Sequence, residues 1–216
     1  MEDVIVRLST QIPGFLFAIV FHEAAHAFVA SRYGDPTARS MGRLTLNPMA
    51  HIDLLGTIVF PLLTAFGGVM FGWARPVPID SRHFKNVRQA IFWVSFAGPL
   101  ANILLAIISA FFLGTAAAKL SEDFYFFTPL IQILTQSVFI NIMLATFNLI
   151  PIPPLDGSNM VSSFLPYNMM RRYESLGQYA LLFFLVLMFT NAWSYILAPG
   201  QAFGYGLIHF FYGVWR

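Results

Sequence analysis

Long apolar runs alternate along this chain with short polar stretches rich in proline and glycine. Runs at 11–32, 54–74, 90–115, 128–150 and 176–198 are each long enough to cross the roughly 30 Å hydrocarbon core of a bilayer as a helix. A run at 201–215 is aromatic but shorter, which predicts a partial or tilted last span. Residues 1–10 read as an interfacial lead. Pro13 and Gly34 stand where the first helix is expected to start and stop. Residues 34–53 form a turn-rich loop in which Arg43-Leu44-Thr45-Leu46 suggests a strand. Val77-Pro78-Ile79, preceded by Pro76, reads as an edge strand. Amphipathic turns are expected at 158–175.

Charge changes the reading of one run. The 54–74 segment is broken by Pro61 and Gly67-Gly68. Arg32, Arg39 and Arg43 precede it, and Arg75, Arg82, Lys85 and Arg88 follow it. A single crossing would put these cations on opposite sides, whereas a re-entrant hairpin keeps them together, as the positive-inside rule prefers. With an outside N-terminus, only Arg7 and Lys119 of the 12 basic residues then lie outside. The loop carrying Lys119, Glu122 and Asp123 has little net charge and suits the outer face.

Composition agrees. Of 216 residues, 57% are hydrophobic and 10% charged, far below the roughly 25% charged of soluble domains. The expected fold is an all-α polytopic membrane protein of five to six transmembrane helices, with a re-entrant segment. A net charge of +2 gives no reason to expect nucleic acid as a partner; the lipid bilayer is the expected one. Without cysteine there is neither a disulfide framework nor a thiolate ligand. Acidic Glu2 and Asp3, with no small-residue cleavage site, do not suit a signal peptide.

The first run contains His22-Glu23-Ala24-Ala25-His26. On a helix, His22 and His26 lie about 40° apart and one turn apart, so both imidazoles reach one ion. Glu23, rotated about 100° from His22, approaches a water on that ion without being a ligand. This is the arrangement of a zinc hydrolase. A satisfied buried His pair is the bland alternative, but ionisable groups at membrane depth usually mark function. A third ligand must come from elsewhere. Asp156 follows Pro151, Pro153 and Pro154 at the end of an apolar run, and Gly157 gives the chain freedom to turn beside it. An ordinary Asp-Gly turn is the competing account. His51, beside Asp53, is a weaker candidate ligand, and a structural role suits a loop histidine better. Asn102 is a candidate polar contact to the motif helix, though a role as structural glue suits it better.

These motifs together resemble the site-2 protease family of intramembrane zinc metalloproteases. The resemblance rests on His-Glu-Ala-Ala-His at 22–26, Ala-Gly-Pro-Leu-Ala-Asn at 97–102, and the Asn148 to Asp156-Gly157 element. Gly72-Trp73-Ala74-Arg75-Pro76-Val77-Pro78 also resembles bacterial members. It implies a short prokaryotic form without a PDZ or CBS domain. The whole of 1–216 would be one domain, with a catalytic core at about 11–165 and C-terminal helices at about 176–215. By the resemblance, His22, His26 and Asp156 bind one Zn2+, and Glu23 is the catalytic base. Asn148 would contact substrate or the developing oxyanion, with Asn102 and Val77 as further substrate contacts. A small membrane-associated sheet would map to 42–46 and 74–80. Implied substrates are transmembrane helices, such as those of anti-sigma factors, membrane-bound regulators or remnant signal peptides. The implied location is the cytoplasmic membrane, with the site toward the cytoplasm. Two rivals stay open on the residues alone. A divalent-metal transporter would use the same ligands for transit, but normally wants more than one site. A non-catalytic relative that binds transmembrane partners would be expected to lack Glu23 or a ligand.

Overall fold

A computed structural model describes residues 2–65, 72–190 and 192–215. Its regular elements are helices: α1 (Glu2–Arg32), α2 (Thr37–Ser40), α3 (Phe60–Ala65), α4 (Val87–Lys119), α5 (Phe127–Asn148), α6 (Asp156–Ser162), α7 (Tyr167–Glu174), α8 (Ala180–Phe189) and α9 (Ala192–Val214). Among the described residues three helices, rather than five or six, are long and apolar enough to cross a membrane: Leu8–Arg32 of α1, α4 and α5. They pack against one another as a three-helix core. α9 lies against α4 and α5, and α6 lies against α4.

The core is built on small residues. Ala18, Ala27, Ala30, Ala90, Ala106, Ala110 and Ala145 are buried where the helices meet. At Gly14 a Cβ would stand 3.1 Å from the Ser137 backbone, so α1 and α5 approach closely there. The polarity is inverted relative to a soluble bundle. His22, His26, Ser95, Asn102, Ser109 and Asn141 face inward, while Phe17, Phe28, Leu104 and Phe112 face outward. An apolar exterior around a polar interior suits hydrocarbon as the solvent.

Helix boundaries follow local chemistry, and several differ from expectation. α1 ends as expected: Gly34 has φ of +105°, and the Asp35 N–H returns to the Ala30 carbonyl. Its start differs, because the helix runs unbroken through Pro13 from Glu2. Neighbouring helices support a membrane helix through a proline that would break an isolated one. The amphipathic stretch splits into α6 and α7 at Pro166, whose ring disfavours helix at the preceding residue. The expected 176–198 span is also broken. Thr190 is extended, with φ of −114° and ψ of 160°, and α8 has 10 residues, or about 15 Å. The 201–215 run becomes part of α9, which has 23 residues but is diluted by Gln201, His209 and several glycines.

The 54–74 run begins with a wide π turn at Leu54–Val59, capped by Asp53, whose carboxylate accepts from the Gly56 N–H. The chain then comes back. Trp73 N–H donates to the Gly56 carbonyl, Arg75 N–H to the His51 carbonyl, and Thr57 Oγ1 to the Trp73 carbonyl. The two ends of the run therefore lie side by side. Gly67-Gly68 falls outside the described residues.

The expected sheet does not form among the described residues: 42–46 and 74–80 carry no strand ladder. Pro76 and Pro78 have no N–H to give, and the Val77 N–H between them donates to Glu23 Oε2. The Arg75 and Pro76 carbonyls accept instead from Arg43 Nη2, at 2.7 and 3.2 Å. Side chains thus take the partners that a neighbouring strand would have supplied. Asp35, 1% exposed, ties this segment to the end of α1 by accepting from the Asp80 N–H as well as from Thr37 N–H and Oγ1.

Candidate metal centre

One turn of α1 brings His22 and His26 together, with ring centroids 4.7 Å apart and ring planes at 82°. Asp156, the first residue of α6, meets them there. Its Oδ2 lies 3.1 Å from His22 Nε2 and 3.3 Å from His26 Nε2. α6 can come this close because residue 157 is glycine. A Cβ there would collide with the Leu149 and Ile150 carbonyls at the end of α5. Close approach, rather than a left-handed turn, is what Gly157 provides.

Each imidazole is held from behind. His22 Nδ1 lies 2.6 Å from Asn102 Oδ1, and His26 Nδ1 lies 2.6 Å from the Val94 carbonyl, both on α4. Gly98 of α4 faces the front of the rings, where a Cβ would stand 2.6 Å from His22 Nε2 and closer still to His26 Nε2.

The residues fit a divalent cation. Two imidazole nitrogens and a carboxylate oxygen lie within 4.8 Å of one another, and Asp156 Oδ2 is buried without a partner in hydrogen-bonding geometry. Two nitrogens and one oxygen are the donor set of a catalytic zinc site with a position left open.

Glu23 does not join this group; its Oε2 accepts from the Val77 N–H at 2.8 Å. Asn148 is the last residue of α5, and its Nδ2 donates to the Leu144 carbonyl. Asn102, expected as a substrate contact, is 0% exposed and lies behind His22, so it has no face to offer a substrate. His51 is not part of the cluster. It is buried, with Nε2 2.8 Å from the Thr45 carbonyl, and so braces the 45–51 loop. Sequence reasoning missed three contributors. Asn141 bonds Asn102, Arg43 holds the 75–76 carbonyls, and Gly98 leaves room in front of the rings. An asparagine inside the apolar 128–150 run was the available signal for Asn141.

The sequence profile of peptidase family M50 matches residues 122–189. Two similar relatives carry the name "Putative zinc metalloprotease". YwhC of Bacillus subtilis (strain 168) is 41% identical over 185 residues, which is 85% of this chain and 82% of the relative. Rip2 of Mycolicibacterium smegmatis is 31% identical over 194 residues, covering 86% of this chain and 70% of the relative. No solved structure matches the chain.

Proposed function

Because the chain belongs to peptidase family M50, the site-2 protease family of zinc metalloproteases, we propose that it cuts other membrane proteins within their transmembrane segments. The observation that carries this reading is the placement of the metal ligands. His22 and His26 sit on a helix apolar enough to cross a membrane, turned into its polar interior beside Asp156.

Zinc held by His22, His26 and Asp156 supplies a Lewis acid and brings the pKa of water toward neutrality. Glu23 takes the proton from the attacking water and later gives it to the departing amine nitrogen. The Val77 N–H fixes one Glu23 oxygen and so orients the carboxylate. Asn148 spends one amide hydrogen on the Leu144 carbonyl and keeps a second for the developing oxyanion. A transmembrane helix hides its carbonyls in its own hydrogen bonds, so the substrate must unwind first. The extended segment around Val77 lies beside Glu23, but its Val77 N–H and the Arg75 and Pro76 carbonyls are already taken, so it is not a free edge for strand addition. Substrates are transmembrane helices of the kind carried by anti-sigma factors, membrane-bound regulators or remnant signal peptides. The chain sits in the cytoplasmic membrane with an outside N-terminus. The 54–74 run is re-entrant, and the site opens toward the cytoplasm.

Purified protein in liposomes with a panel of tagged transmembrane peptides tests this. Products mapped by mass spectrometry should end inside the apolar segment. A chelator should stop cleavage, and added zinc should restore it. Cuts confined to the peptides' soluble flanks would overturn the intramembrane reading.

Arg43 offers a finer check. Its guanidinium holds the two carbonyls just before Val77, and so holds the peptide that orients Glu23. Hydrogen bonds to a charged group contribute about 1.5–3 kcal/mol, so Arg43→Gln should lower kcat about tenfold. Zinc content should not change, which metal analysis of the same sample checks.

A further inference from the structure

Hydrogen-bond polarity in the bundle interior can be read from its fixed ends, because a backbone carbonyl only accepts. On α5, the Asn141 side chain has one atom 2.9 Å from the Ser137 carbonyl, so that atom is its NH2. Its oxygen therefore points at Asn102, 2.9 Å away. The Asn102 atom that meets it also lies 2.9 Å from the Ala18 carbonyl, so two acceptors require it to be the NH2. The remaining Asn102 atom is the oxygen, 2.6 Å from His22 Nδ1. An amide oxygen cannot donate, so Nδ1 must carry the proton. His22 Nε2 then presents a lone pair toward Asp156. Both asparagines are 0% exposed, so no water competes for these bonds.

We infer that Asn102, backed by Asn141, is the positioning residue that keeps the His22 proton on Nδ1 and frees Nε2 for the metal. A metal-bound histidine usually gives its other N–H to a carboxylate, a backbone carbonyl or water. Here a neutral amide does this, and three helices fix its orientation. A carboxylate at position 102 would face the Ala18 carbonyl and the Asn141 oxygen with no proton for either. His26 reaches the same end more simply, through the Val94 carbonyl. The inference rests on the zinc-site reading, and its test measures metal affinity rather than proteolysis.

Zinc affinity of detergent-purified protein is measured by competition with a chromogenic chelator, beside the melting temperature of the metal-free form. Asn102→Leu should bind zinc about 10–100-fold more weakly, the usual effect of losing such a partner. Asn102→Asp keeps the acceptor and should recover part of that loss. Ser109→Ala removes a buried hydroxyl that meets Ser137 Oγ and, among the described residues, neither asparagine, and should leave affinity unchanged. A purely structural asparagine would lower the melting temperature and leave the affinity of the folded protein alone; that result overturns the inference. Should neither Asn102 variant fold, Asn141→Ala decides. Affinity weakened several-fold supports the chain of bonds, and unchanged affinity overturns it. Wild-type protein that bound no zinc would overturn the site reading itself.

Discussion

Glu23→Gln is expected to abolish peptide cleavage while leaving one zinc per chain and an unchanged melting temperature. The amide has almost the shape of the carboxylate, and its oxygen can still accept from the Val77 N–H that now meets Glu23 Oε2 at 2.8 Å. The segment before Val77 keeps its other anchor, Arg43 on the Arg75 and Pro76 carbonyls. Nor is Glu23 among the grouped ligand atoms, so the metal should stay. What the amide cannot do is take a proton. General-base catalysis is worth roughly 10²–10⁴ in rate, so cleavage should fall by at least that factor. The check pairs the cleavage rate on a transmembrane peptide with metal analysis. Residual cleavage within tenfold of wild type would remove Glu23 from its role. Loss of zinc with the variant would make it a ligand instead.

The facing of His22 and His26 and the turning away of Glu23 are legible in the sequence because the helix period alone sets them. Residues four apart share a face, and a neighbour one position on is turned away from them. Asp156 was legible for a different reason: few acidic residues stand near membrane depth, and this one follows a proline-broken end of an apolar run. Much of what holds the site was not legible. Val94 contributes a carbonyl, which any residue has, so no sequence signal marks it. The sequence marks Asn102 as a polar contact to the motif helix, which it is, but does not show that it lies at the centre of the bundle with no face for a substrate. Its partners Ala18 and His22 come from α1 and Asn141 from α5, and the mutual rotation of these helices and α4 is not specified by the hydrophobic pattern. The expected strands failed because Pro76 and Pro78 leave Val77 the only N–H among residues 76–78, and that one went to Glu23. Only three of the expected spans are long, unbroken apolar helices among the described residues, and at 176–198 the reason is that hydropathy averages across a break. The 176–198 run looks continuous until Thr190 turns extended and ends α8.

Gly98→Ala is expected to give a folded protein that has lost most of its zinc affinity. Helix propensity favours the change, since alanine is about 1 kcal/mol better than glycine inside a helix. Loss of the fold is therefore not the expected failure. The difficulty is local. The new methyl would stand 2.6 Å from His22 Nε2 and 2.7 Å from its Cε1, and would crowd His26 Nε2 more closely. A ring at the end of a free side chain would swing aside cheaply. Neither ring here is free, because His22 Nδ1 is bonded to Asn102 and His26 Nδ1 to Val94, each at 2.6 Å. Moving a ring away from the methyl breaks its rear bond; keeping the bond leaves the methyl in front of the nitrogens that hold the metal. α4 has little room to retreat, since Ala90, Val94 and Ala97 are buried along the same helix. Overpacking of this kind costs about 1–3 kcal/mol, and if it falls on the metal-bound form it corresponds to a loss of roughly five- to 150-fold in metal affinity. Chelator competition and thermal melting of the same preparation separate the two effects. A melting temperature near or modestly below wild type, with weakened zinc binding by the folded protein, is the expected pair. Zinc bound as tightly as in wild type would mean that the rings give way more readily than their rear hydrogen bonds allow.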